Sequence, residues 1–71
     1  MSQPEINALL RSSRRYLKTA VACEEQGDGA SARENYGLAA QTLRFARNIE
    51  TDAAKRVLYE TQIERYVARA E

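Results

Sequence analysis

Apolar positions along the chain recur at helical spacing in three blocks. Ile6, Leu10, Ser13, Leu17 and Ala20 follow one another at steps of four and three. Ala32, Tyr36, Ala39, Leu43 and Ala46 do the same, and Tyr59, Ile63, Tyr66 and Ala70 make a third series. No stretch alternates with period two and β-branched residues are few, so strands are not expected. Two places interrupt the pattern. Gly27-Asp28-Gly29 puts two glycines where a helix interior would lose about 1 kcal/mol for each. Around Glu50-Thr51-Asp52, either Thr51 or Asp52 can accept a backbone N–H bond and start a new helix. Gly37 stands alone inside a periodic stretch and reads as tolerated. At the front, Ser2 and Glu5 flank Pro4 in a capping-box pattern.

The spacing therefore predicts helices over about 4–26, 30–49 and 52–71. Short connections force consecutive helices to run antiparallel. The expected fold is all-α, an up-down-up three-helix bundle in one domain. Its many alanines suit close helix approach, and Tyr16, Tyr36, Tyr59 and Tyr66 are expected to supply most of the large core volume. The final helix runs to Glu71 with no Gly, Asn or Pro to end it, which leads us to expect an N-terminal module of a longer protein.

Composition narrows the function. The chain has 71 residues, 11 of them basic and 10 acidic, for a net charge of +1. That near balance provides no bulk attraction to nucleic acid or anionic membrane. Arg14-Arg15 alone does not change this, because adjacent residues point to different sides of a helix. A domain this small buries roughly 60% of its unfolded surface, leaving little room for a concave catalytic pocket. It has no His, no glycine-rich phosphate loop and no metal-ligand cluster, so we expect neither an enzyme nor a cofactor or metal. The single Cys23 cannot form an internal disulfide and reads as a small packed residue. No apolar run approaches the roughly 20 residues of a membrane span. Met1–Glu5 lacks the layout of a signal peptide. A cytoplasmic location is the default expectation, with recruitment to membranes through partners.

One family shares the order of these residues. Ala20 late in the first helix, Gly27 at the turn, then Ala32, Tyr36 and Ala39 at steps of four and three, and finally Tyr66-Val67-Ala68-Arg69-Ala70-Glu71 resemble the microtubule-interacting and transport (MIT) domain. Two positions depart from its pattern. Gly29 stands where an aromatic residue is frequent, which is expected to loosen the first corner, and Val67 replaces a leucine. The resemblance implies a non-catalytic three-helix adaptor attached to a larger protein, such as an AAA ATPase. Its expected partners are C-terminal peptides of ESCRT-III-like filament subunits, and the isolated domain is expected to be monomeric.

In one binding mode of that family, a peptide helix lies in the groove between helices 2 and 3. Here Glu60, Glu64, Val67 and Glu71 recur at steps of four, three and four on the third helix. Ala40, Arg44 and Arg47 face them from the second. The expected peptide site is thus Ala40, Arg44, Arg47, Glu64, Val67 and Glu71, with Glu60 read as an ordinary solvated charge. Arg44 and Arg47 could bridge to Glu60 and Glu64 when no ligand is bound. A second mode uses the groove between helices 1 and 3, where Leu9 and Ala22 are the candidates. The alternative function is a tetratricopeptide-like structural or self-association module.

Overall fold

Gly27 and Glu50 shape the two corners that set the architecture. The computed structural model describes residues 3–71, in which α1 spans Gln3–Glu25, α2 Gly29–Ile49 and α3 Ala53–Ala70. These bounds match the expected ones to within a residue. The proposed cap at Ser2 lies outside the described residues.

At the first corner Gly27 adopts φ +80, a conformation that strains residues bearing a Cβ. Its amide donates to the Glu24 carbonyl at 3.0 Å, and the Asp28 amide donates to the Cys23 carbonyl at 2.9 Å. This pair is the Schellman arrangement, which satisfies carbonyls that the helix end leaves free. Asp28 then caps α2, its carboxylate accepting from the Ser31 amide at 3.1 Å. The Ser31 amide holds that carboxyl below its usual range. The corner is therefore closed on both sides rather than loosened by Gly29.

At the second corner, Asp52 is the cap. Its Oδ1 accepts from the amides of Ala54 at 2.9 Å and Lys55 at 3.3 Å. The sequence pattern gave no sign of the role of Glu50, which is only 5% exposed. Glu50 Oε2 accepts from the Thr51 and Asp52 amides at 3.1 Å each, and Oε1 accepts from the Tyr59 hydroxyl at 3.1 Å. One buried carboxylate thus ties the turn to the first part of α3.

Helix α2 is the middle element. It packs against both neighbours, while no Cα of α1 comes within 8 Å of one in α3. The three helices form a bundle open along the α1–α3 side. One buried cluster joins Ile6, Ala40, Leu43, Ala46, Tyr59 and Ile63. A second joins Ala20, Ala32 and Tyr36, with Leu17, Cys23 and Ala70 packed on it. In the α1–α2 seam, the Ser13 hydroxyl donates to the Ala39 carbonyl at 2.9 Å and is itself buried. Small side chains at 13 and 39 permit that approach. Tyr36 and Tyr59 are buried and Tyr66 is half-buried, as the spacing suggests. Tyr16 is a correction: it is 36% exposed, because it stands one residue off the line through Ser13, Leu17 and Ala20.

Three substitutions test these assignments by chemical or thermal unfolding. A Cβ at Gly37 meets no atom within 4 Å and the backbone is helical there, so Gly37→Ala should stabilise by about 0.5–1 kcal/mol. Gly27→Ala should destabilise by about 1–2 kcal/mol through its left-handed backbone. Glu50→Ala leaves the Tyr59 hydroxyl and two amides without their acceptor and should cost about 1–3 kcal/mol.

Candidate functional site

The α2–α3 seam brings together two stripes of opposite charge. On α2, Arg33, Gly37, Ala40, Arg44 and Arg47 recur at steps of four and three; on α3, Glu60, Glu64, Val67 and Glu71 do so. Arg47 Nη1 lies 3.8 Å from Glu60 Oε1, fixing the antiparallel register of the two stripes. Counting from that bridge, Arg44 falls opposite Glu64, Ala40 opposite Val67, and Gly37 opposite Glu71. The Arg47 and Glu60 side chains are 27% and 51% exposed, so the pair contributes on the order of 0–1 kcal/mol. A ligand could displace it at little loss.

The expected site residues separate into two groups. Arg44, Glu64 and Glu71 are exposed, and none takes part in an ion pair among the described residues. Val67 is half-buried and packs against the cluster that contains Ala40, so it belongs to the seam and to the edge of the core together. Ala40 is a correction. It is 1% exposed, covered by the side chains around it, and forms core beneath the groove instead of a wall that a ligand could touch. Gly37, which its spacing marks as merely tolerated, is partly exposed on the same stripe and leaves open space above α2.

The second pair of candidates does not share a surface. Leu9 is half-buried against the first core cluster, whereas Ala22 is exposed on another flank of α1. Their separation of thirteen residues turns them roughly 140° apart around the helix.

The last helix also carries a contact that spacing did not reveal. The Tyr36 hydroxyl donates to Glu24 Oε1 at 2.5 Å, and Arg69 Nη1 donates to the same hydroxyl at 3.1 Å. Arg69 lies 3.8 Å from Glu24, with its guanidinium carbon 5.6 Å from the Tyr36 ring centroid. The three side chains come from three different helices and close the end of the bundle at which the seam finishes. Glu24 and Arg69 are 47% and 60% exposed on their side chains, so their direct attraction is weak. The Tyr36 hydrogen bonds give the cluster its order. The signal was present in the resemblance, which includes Tyr36 and Arg69, but their separation of 33 residues hid the contact.

Several large apolar side chains are exposed as well: Val21 at 39%, Phe45 at 53%, Val57 at 60% and Leu58 at 62%. Phe45 stands two residues beyond buried Leu43, which turns it about 160° off the core line. Val57 and Leu58 are adjacent and so leave α3 in different directions.

Among the described residues, no group of three or more His, Cys, Asp or Glu side chains could hold a metal ion. No helix is long and apolar enough to cross a membrane. Compared with protein-family models, curated proteins and solved structures, the chain matches none.

Two tyrosines give the arrangement a pH signature. Tyr36 ionises above the ordinary phenol range because its hydroxyl donates a hydrogen bond to Glu24 and because it is buried, with Arg69 opposing. Tyr59 is raised by burial first and by Glu50 second. A folded-state pKa above the unfolded value of about 10 means stabilisation that is complete below that value. It is lost as pH rises through the folded pKa. Alkaline titration followed at 295 nm and by circular dichroism should show Tyr36 and Tyr59 ionising together with loss of helix above pH of about 10. Substituting each by Phe should remove its share of the late absorbance change.

Proposed function

We propose that the protein is a non-catalytic peptide-binding module whose α2–α3 seam takes an amphipathic helix. The observation that carries this reading is the seam itself: exposed Arg44 on one edge, exposed Glu64 and Glu71 on the other, and partly exposed Gly37 and half-buried Val67 between them. A helix can approach α2 closely over Gly37, which bears no side chain. Its apolar anchors, three and four residues apart, would lie on Val67. Acidic residues on one flank would meet Arg44, and basic residues on the other would meet Glu64 and Glu71.

The resemblance to the MIT domain supports the same groove and supplies a partner class, C-terminal peptides of ESCRT-III-like filament subunits. In that reading the module recruits an attached protein, an AAA ATPase, to the filament from the cytoplasm. Affinity follows from size. A buried valine contributes about 1.5 kcal/mol and exposed charge pairs about 0–1 kcal/mol each, so weak binding, no tighter than micromolar, is expected. Repeated ligands along a filament would raise the effective affinity.

Titrating the labelled protein with such peptides should move amide NMR signals along α2 from Arg33 to Arg47 and along α3 from Glu60 to Glu71. Glu64→Lys should weaken binding about 5–10-fold, near 1 kcal/mol, without lowering the melting temperature. A peptide with its facing basic residue reversed to acidic should recover most of that loss. Signals that move mainly on α1, or a Glu64→Lys variant that binds as well as the original, would sink the assignment.

A further inference from the structure

The flank of α1 carries an open groove of about 580 Å³ lined by Arg14, Leu17, Lys18, Val21, Ala22 and Glu25. All six belong to one helix, at steps of three, one, three, one and three, so they form a single stripe. Side chains of one helix make half of a helix–helix seam. No described helix supplies the other half: the lining holds no residue of α2 or α3, and no Cα of α3 comes within 8 Å of one in α1. Val21 is 39% exposed there and Ala22 is exposed.

The charge order on this helix is unfavourable for α1 alone. Arg11, Arg14, Arg15 and Lys18 stand together, giving two like-charged pairs four residues apart (Arg11 with Arg15, Arg14 with Lys18). The last turn contains Glu24 and Glu25 and no basic residue, against the negative end of the helix dipole. Glu24 is engaged by Tyr36 and Arg69, but neither Arg14 nor Glu25 joins an ion pair among the described residues.

We infer that two copies of this chain associate through this stripe, α1 against α1 in antiparallel register, about a two-fold axis between Lys18 and Val21. The register pairs Arg14 with Glu25 of the second copy, Leu17 with Ala22, and Lys18 with Val21. Every groove residue then has a partner within the same set, the condition for a closed, isologous contact. Opposite charges occupy mirror positions, and the large Leu17 faces the small Ala22. The Lys18 stem covers Val21 while its ammonium stays in water. Each like-charged cluster meets the acidic end of the other helix. This departs from the monomer expected from sequence. It does not depend on the peptide-binding proposal, and it leaves Arg44, Glu64 and Glu71 open, so a dimer would present two α2–α3 grooves. One two-helix contact makes a weak dimer, and its exposed charge pairs make it sensitive to salt.

Sedimentation equilibrium on the full chain between about 10 µM and 1 mM at low salt tests the inference. The wild type should self-associate, less so at 0.5 M salt, where screening acts over only a few ångströms. Arg14→Glu alone and Glu25→Arg alone should each weaken association at least about tenfold, by placing like charges at both mirror positions. Mixing the two variants in equal amounts should restore it, because every mirror position then holds an opposite pair. Circular dichroism should show unchanged helicity for both variants. A wild type that stays monomeric to 1 mM overturns the inference, as do single variants that associate normally or a mixture that is not rescued. Loss of association in Arg44→Glu with Arg14→Glu unaffected would also overturn it, by placing the contact on the α2–α3 seam.

Discussion

Helix α2 must bury two seams on one circumference, and this constraint governs the rest of the fold. Its neighbours do not support each other backbone to backbone, so each depends on α2. A helix serving two partners needs a wide apolar face, and here that face is built from small residues: Ala32, Ala39, Ala40 and Ala46 are at most 2% exposed. The two large side chains buried most completely are Tyr36 and Leu43, both on α2. They stand seven residues apart on the same line, one in each core cluster. Alanine gives close approach at no cost in side-chain entropy, while Tyr36 and Leu43 fill the space that the splayed outer helices leave.

A core of alanines has little apolar area per residue, and polar contacts supply the definition that bulk cannot. They occur at three levels along the bundle. Glu50 gathers two amides and the Tyr59 hydroxyl at one end, Ser13 donates to the Ala39 carbonyl within the α1–α2 seam, and Tyr36 joins Glu24 and Arg69 at the other end. No buried side-chain nitrogen or oxygen among the described residues lacks a partner. Satisfied buried polar groups discriminate between registers, because a shifted helix would leave each of them unpaired. Packing of alanines against alanines tolerates sliding far better.

This division explains what could be read in the sequence. Helix bounds and the central core line were legible, since Ile6, Ser13, Ala20, Tyr36, Leu43, Tyr59 and Ile63 follow a period that local geometry fixes. The corners were legible as breaks, and Asp52 as one of two caps. What escaped was set by tertiary placement. Tyr16 was assigned to the core by residue type, yet lies off the line. Ala40 was placed on a wall, but how far a small side chain sinks into a seam depends on how closely the neighbouring helix approaches. Glu50 was legible only as part of a break, and only the folded turn gives it three donors. In the candidate groove, the two charged stripes were readable and their bridge at Arg47–Glu60 could be anticipated. The open space over Gly37 could not.

The same economy leaves the surface free for recognition. A bundle open on one side covers fewer of its own flanks than a closed one, and Arg44, Glu64 and Glu71 stay exposed beside the α2–α3 seam. Arg44 and Glu64 add little to folding because water and salt screen them. Their placement can therefore change with small effect on stability, whereas Glu50 cannot be altered without leaving the buried Tyr59 hydroxyl without its acceptor. Charges of this kind set orientation and selectivity more than tightness. Under the proposed peptide-binding reading, tightness would come from presenting the module more than once, since one seam carries little apolar area.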